Sequence, residues 1–334
     1  MKKTYYLFNP GRLSRRDNTL KFTPVDEDGN ELQPKYLPVE GIEQLYIFGS
    51  LDANSALYNF LGKSNIPVHF FDYYENYCGS FMPKDQLLAG KMIIAQVDAY
   101  KNKKKRQQIA QQIIDGASFN MLKNVRYYHN RGKPMDEVIN KIEQYRGVIY
   151  NTKAINELMG IEGNIRQVYY TAFDLIINDF EMGGRSKQPP KNEVNALISY
   201  ANMMCYAECL RAIHQTQLNP TISYLHEPGE RRYSLALDLA EIFKPILVDR
   251  VIFKVLNKRE ITASDFDSKM NNIRLKDNAK KVFIKSFEDR MNETIQHRVL
   301  KKHVSYKHLI KLECYKLAKE ILGIEVYKAF KIWW

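Results

Sequence analysis

The stretch LHEPGERRYSLALDLAEIF, residues 225–243, sets two acids inside an apolar run: Asp238 and Glu241 stand among Leu235, Ala236, Leu237, Leu239, Ala240, Ile242 and Phe243. Three residues apart, they share one face of a helix. His226 precedes them on the same stretch. A third out-of-place acid, Glu162, sits in MGIEGNIRQVYY beside Ile161, Ile165, Val168 and Tyr169. Clustered buried carboxylates repel one another unless protons or cations compensate, and a divalent metal is the economical compensation. Two acids and one imidazole suit manganese or magnesium, where oxygen ligands dominate and one nitrogen is tolerated. Such a site polarises a phosphate and activates a hydroxyl or water for in-line displacement. Spacing leaves a plainer alternative open, in which Glu162 pairs with Arg166 at i, i+4 and Asp238 or Glu241 pairs with Arg231, Arg232 or Lys244.

Charge narrows the partner class. The 334 residues carry 50 Lys and Arg against 38 acids, a net +12, which favours a polyanionic partner such as nucleic acid, with simple solubility as the plainer reading. The run KNKKKRQ contributes Lys103, Lys104 and Lys105 as phosphate contacts, or else as a solvated helix face. Arg166, Arg231 and Arg232 are further nucleic-acid candidates. Arg231 and Arg232 follow His226 closely enough to hold a scissile strand, unless they form an exposed turn. His297, His303 and His308 lie among lysines that would repel a metal, and read as surface or DNA-facing residues.

The remaining features exclude other classes. The N-terminal MKKTYYLFNPGR has too short an apolar run for a signal segment, and no window reaches the roughly 18 apolar residues that cross a bilayer. The expectation is a cytoplasmic protein with no membrane partner. Cys78, Cys205, Cys209 and Cys314 form no CxxC pair. Cys205 and Cys209, with His214 nearby, give a weak hint of a thiolate site against the ordinary reading of reduced core cysteines.

The elements that must position these residues fall into two parts. To about residue 84, KTYYLF, TLKFTPVDEDGNELQPKYLPV, IEQLYIFG and IPVHFFDYY read as strands, with Asp28-Gly29 as a hairpin signal. A single helix is expected from Leu51 to Gly62 behind an N-cap serine. From 85 to 334 helical periodicity takes over and strand signals nearly vanish. One long helix is expected across KDQLLAGKMIIAQVDAYKNKKKRQQIAQQIID, and a helical pattern runs through QHRVLKKHVSYKHLIKLECYKLAKEILG. Asn192 reads as the N-cap of the helix after Pro189-Pro190. The fold class expected is α+β, a small β-rich domain (1–84) followed by a larger helical one (85–334).

Four stretches together, YLFNPGRLSRRDNTLKF, MGIEGNIRQVYY, RSKQPPKNEVNALISYANMM and LHEPGERRYSLALDLAEIFKPILVDR, resemble the CRISPR-associated endonuclease/integrase, the catalytic one of the two universal adaptation proteins, in its type I-like form. The likeness runs over essentially the whole chain. It implies an N-terminal dimerisation domain, a helical catalytic domain and a homodimer. It also implies the smaller adaptation protein as partner. The family's metal ligands, a Glu of an E-G-x-x-R/A motif, a His of an L-H motif and the final acid of an L-D-x-A-[DE] motif, fall on Glu162, His226 and Glu241. Asp238 is left as an accessory acid that orients a ligand or holds a second ion. The implied activity is insertion of short foreign duplexes into the CRISPR array, by 3′-hydroxyl attack on the repeat's phosphodiester; with water as nucleophile the same site is an ester-bond hydrolase. A general metal-dependent nuclease of repair or defence, and a non-catalytic architectural DNA-binding protein, are the competing classes.

Overall fold

In the computed structural model, residues 2–26, 28–72, 74, 76–83, 89–187, 189–229, 233–269 and 272–333 are described, and the chain divides into two compact units, Met1–Gln86 and Leu87–Trp334. In the first unit β1 (Lys3–Leu7), β5 (Ile42–Ile47) and β7 (Val68–Phe71) run parallel, with β8 (Tyr77–Phe81) antiparallel at the edge. Leu7, Leu45, Ile47 and Val68 face a shared core with Leu57 and Leu61 of α1 (Ser55–Lys63). Tyr46 points the other way, against the rings of Tyr6, His69 and Phe71. A central parallel strand is covered on both faces, which is why IEQLYI reads as nearly continuous burial.

The second sheet has the order β4-β3-β2-β6, from β2 (Gly11–Arg16), β3 (Thr19–Pro24), β4 (Lys35–Pro38) and β6 (Leu51–Asp52). Arg16 pairs with Thr19, so the β2–β3 turn is two residues long, and Asp17 takes the left-handed conformation (φ 53°) that a short polar side chain tolerates. β3 and β4 pair antiparallel across the Asp28-Gly29 region, as the hairpin signal indicated. The helix start shifts from the sequence expectation. Leu51 and Asp52 pair with β2, and α1 begins at Ser55 because the Asn54 side chain accepts from Leu57 N at 3.0 Å.

The second unit is helical: α2 (Gly90–Lys101), α3 (Lys103–His129), α4 (Asp136–Gly147), α5 (Ile155–Ile176), α6 (Glu193–His214), α7 (Ser234–Lys244), α8 (Arg250–Asn257), α9 (Asp277–Asn292) and α10 (Tyr306–Ile321). Of the single long helix expected across residues 84–115, residues 84–88 lie outside the described residues, and the rest forms two helices broken at Asn102. Its side chain accepts from Lys105 N and starts α3 with an extended backbone (ψ 95°). Two short hairpins also interrupt the helices, β9 (Phe266–Lys269) with β10 (Asn272–Leu275) and β11 (Thr294–Gln296) with β12 (His303–Ser305). The helical pattern expected from residue 296 therefore holds only from Tyr306 onward. Asn192 caps α6 as expected, accepting from Asn195 N.

α6 is buried on nearly every side, and the charges it carries inward are paired, Arg211 Nε donating to Glu208 at 2.8 Å. Each of its inaccessible residues Leu197, Ile198, Leu210 and Ile213 contributes about 1.5–3 kcal/mol relative to exposure. α7 does not end cleanly. Pro245 has no N–H to give, and the chain passes through a π turn, Pro245–Asp249, into α8. Two asparagines one turn apart on α3 accommodate the irregularity: Asn120 Nδ2 donates to Ile242 O (2.9 Å) and Asn124 Nδ2 to Pro245 O (2.6 Å). Asn120 also donates to Phe330 O and accepts from Ile332 N, so it fastens the C-terminal tail to α7. The tail passes so close to α3 at Gly116 that a Cβ there would stand 2.7 Å from the Ala329 methyl.

Asn120→Leu removes the side-chain donor to the Ile242 and Phe330 carbonyls and the acceptor of the Ile332 N–H in a fully buried place. It is expected to cost roughly 2–4 kcal/mol, read as a melting midpoint several degrees lower; an unchanged midpoint would remove Asn120 from this role.

Candidate functional site

His226 comes first, because its position is set by one carboxylate. Asp238, wholly inaccessible on α7, accepts from the backbone N–H groups of Tyr224 (2.7 Å), Leu225 (3.0 Å) and His226 (3.0 Å). The same carboxylate bonds Nδ1 of the His226 ring at 2.8 Å. The Asp238 oxygens are thus spent on folding the 224–226 loop onto α7 and turning the imidazole, which leaves Nε2 as the ring atom for a ligand. Burial lowers the His226 pKa, but the hydrogen bond and charge of Asp238 and the charge of Glu241 outweigh it, and the net shift is upward.

Glu162 on α5 and Glu241 on α7 are brought together with His226 along the wall of one cavity of about 700 Å³. Cations hold both carboxylates. Arg166, one turn after Glu162, donates from Nε to Glu162 Oε1 (2.5 Å) and from its other side to Glu241. Lys244 Nζ lies 2.8 Å from the second Glu241 oxygen. Burial would raise the Glu241 pKa, yet Arg166 and Lys244 hold it far below the usual carboxylate range. The ion pairs of the plainer reading, Glu162–Arg166 and Glu241–Lys244, are formed, on a cavity wall that Glu162, His226 and Glu241 share. Asp238 instead pairs with His226. Among the described residues, no three His, Cys, Asp or Glu side chains close to metal-ligand distance. The donor types, two carboxylates and an imidazole already oriented by Asp238, nevertheless fit a divalent cation, whose charge would replace that of Arg166 and Lys244 at the carboxylates.

Beneath the site lies a buried acid that sequence reading passed over. Asp249, at the end of the π turn, accepts from Tyr169 Oη (2.9 Å), which in turn accepts from Asn124. Burial pushes the Asp249 pKa up to about 7, against the lowering effects of Tyr169, Arg166 and Lys244. Arg185 and Lys187 were also missed. They line the cavity from the loop before α6, where Asn195 accepts from Arg185 and the Ser186 N–H and donates to Gly184 O. The signal available was the RSKQPP loop leading into a capped helix.

The nucleic-acid candidates divide. Arg166 is committed to Glu162 and Glu241 rather than to a free phosphate surface. Lys105 is committed to α10, with Glu320 at 3.7 Å and Ile321 O at 3.4 Å. Lys103 and Lys104 are exposed. Arg231 and Arg232 lie outside the described residues. Cys205, Cys209 and Cys314 are buried free thiols. Burial pushes the Cys209 and Cys314 pKa values up, as in inert core cysteines.

Comparison with known proteins decides the family. The model of CRISPR associated protein Cas1 matches residues 5–289. The chain belongs to the Cas1 family. It is 42% identical over 337 aligned positions to the CRISPR-associated endonuclease Cas1 of Fusobacterium nucleatum, covering 100% of this chain and 98% of that one. It is 44% identical to a CRISPR-associated endonuclease Cas1 of Thermodesulfovibrio yellowstonii, covering 99% and 100%. A solved CAS1 protein from Thermotoga maritima superposes with a TM-score of 0.86 at 36% identity, covering 98% of this chain and 100% of that one. The α+β architecture is thus the Cas1 fold, with Glu162, His226, Asp238 and Glu241 all inside the matched residues.

Two outcomes are expected. Asp238→Ala strips three buried N–H groups of their acceptor and lowers stability by roughly 3–5 kcal/mol in urea unfolding, whereas Glu162→Ala leaves the midpoint within about 1 kcal/mol; equal effects would contradict the fastening role of Asp238. Asp249 binds its proton more tightly folded than unfolded, so its contribution falls as pH rises from about 4 through 7. Asp249→Asn therefore gains relative to wild type as pH is raised, and melting midpoints at pH 5 and pH 8 that differ from wild type by the same amount would exclude a titrating Asp249.

Proposed function

We propose that the chain is a divalent-metal-dependent DNA endonuclease and strand transferase that inserts short DNA duplexes into a CRISPR array. The observation that carries the reading is the convergence of Glu162, His226 and Glu241, from separate stretches of sequence, on one cavity also lined by Arg166, Arg185, Lys187 and Lys244, in a member of the Cas1 family. Glu162, His226 and Glu241 are the residues that would hold manganese or magnesium. When bound, the ion supplies neutralisation of charge on the attacked phosphate and lowers the pKa of the attacking hydroxyl.

The chain's own groups do the remaining work. Asp238 keeps the imidazole aimed, so the ring itself need not reorient, while Glu162 and Glu241 would exchange Arg166 and Lys244 for the ion. Arg185 and Lys187 add positive charge to a lining that also carries Glu162, Glu241 and Asp174, and Lys187, exposed on the cavity wall, is placed to meet a DNA backbone. Arg166 spans both carboxylates and keeps them from repelling one another before substrate arrives. No side chain need form a covalent intermediate: the 3′-hydroxyl of the incoming duplex gives its proton to solvent as its oxygen attacks phosphorus, the new O–P bond forms as the repeat's own O–P bond breaks, and the leaving 3′-oxygen takes a proton back from solvent. With water as nucleophile the same site nicks DNA. The competing reading, hydrolysis alone, differs only in which oxygen attacks. The smaller CRISPR adaptation protein, a homodimer through the 1–84 domain and a cytoplasmic setting belong to the same proposal. Among the described residues no helix is long and apolar enough to cross a membrane.

The test is a joining assay with a labelled short duplex bearing free 3′ ends, a leader-repeat target, the companion protein and manganese or magnesium. A metal-dependent joined product is expected, reduced at least about a hundredfold by Glu162→Ala, His226→Ala or Glu241→Ala and about 10–100-fold by Asp238→Asn. Cut DNA without joined product would favour the nuclease reading. Joining by the ligand variants at the wild-type rate would overturn the site.

A further inference from the structure

The loop of the β11–β12 hairpin inverts the usual surface pattern, with apolar residues at its outermost point. Val299 is 83% exposed and Leu300 42%, and Arg298, Lys301, Lys302 and His303 beside them are exposed as well. Residues 294–311 contain five Lys or Arg, three His and no acid. The nearest acids in sequence are already engaged: Glu293 pairs with Arg290, and Glu313 holds Lys316, Tyr327 and the Phe330 N–H. The positive field registers on the hairpin's own histidines. The His297 pKa is lowered by burial and by Lys316, His308 and Lys302, and that of His308 by burial and by Lys311 and Lys302.

The loop is held rather than slack. His297 N donates to Lys302 O and Lys301 N to His297 O, while the Val299 and Leu300 N–H groups both point to His297 Nδ1. Lys301 sits at φ 53°, a conformation a lysine adopts only when its surroundings impose it. Trp333 underpins the loop. Its Nε1 donates to Gln296 O, its ring meets His297 edge-on at 5.7 Å, and Arg298 lies over it at 5.4 Å. A fixed apolar tip between cations is poorly suited to water. It is well suited to nucleic acid, where the cations meet phosphates and the tip packs on sugars or a base step in the minor groove.

We infer that the β11–β12 loop is a duplex-DNA contact separate from the cavity, with Arg298, Lys301 and Lys302 on the backbone and Val299 and Leu300 seated in the groove. The inference rests on the DNA-acting function proposed above, and its test separates the two. Fluorescence anisotropy with a labelled ~30-bp duplex of arbitrary sequence is measured across a salt series, and each phosphate interaction removed is expected to reduce the log–log salt slope by about 0.9. The triple variant Arg298→Ala/Lys301→Ala/Lys302→Ala is expected to bind at least about tenfold more weakly, with the slope reduced by up to about 2.7. Val299→Ser/Leu300→Ser is expected to bind several-fold more weakly with the slope unchanged. All these side chains are exposed, so melting midpoints should stay at the wild-type value. A triple control at exposed Lys258, Lys281 and Lys285 removes the same charge elsewhere. Equal losses in control and hairpin triples would make the effect net charge alone and overturn the inference. Wild-type binding by both hairpin variants, with metal-dependent joining intact, would overturn the hairpin contact and leave the proposed function standing. Failure of the wild-type chain to hold the duplex would bring down both.

Discussion

One buried carboxylate organises the candidate site. Asp238 accepts three backbone N–H groups and the His226 ring, and in doing so joins a loop with no regular structure to the first turns of α7. A charged group can remain wholly inaccessible only when its hydrogen-bonding capacity is used, and here it is used entirely by the segment that carries the histidine. The answer to why α7 carries two acids in an apolar run is therefore double. Asp238 is there to build the loop, and Glu241 is there to face the cavity.

The charge balance around Glu241 follows from that geometry. Once α5 and α7 bring two carboxylates to one wall, compensation is required, and Arg166 and Lys244 provide it. The π turn at Pro245 follows the same logic at the level of the backbone. It runs between Lys244 and Asp249, and α3 donates to the carbonyls of Ile242 and Pro245 there through Asn120 and Asn124. The C-terminal tail is tied into this arrangement, because Phe330 stacks on Phe243 at 5.8 Å and shares Asn120 with α7. A long helix far from the cavity in sequence thus fixes the orientation of the helix that bears Glu241.

The sequence made much of this legible through local chemistry. Strand-like runs and the Asp28-Gly29 turn signal marked the strands of the first unit, the cap at Asn192 marked the start of α6, and acids within apolar runs marked Glu162, Asp238 and Glu241. Its errors were also local. Asn102 ends one helix and caps the next, a break that the basic run on either side concealed. The β11–β12 hairpin was read as helix, because lysines, histidines and spaced apolar residues satisfy a helical period as well as a short strand and turn.

What the sequence determined by itself is the inventory: an α+β chain of +12 charge, with three acids and a histidine in places that demand partners. Which partners they take was decided only by tertiary structure. Spacing along the chain constrains neighbours within a few helical turns, which is enough for Glu162–Arg166 and Glu241–Lys244. It says nothing of pairings such as Arg166 with Glu241 or Asn120 with Ile242, which exist because α3, α5 and α7 pack together. Of the two roles expected of Asp238, orienting a neighbour or holding a second ion, the same packing spends its oxygens on the first, since only the folded loop brings three N–H groups and the His226 ring to a single carboxylate.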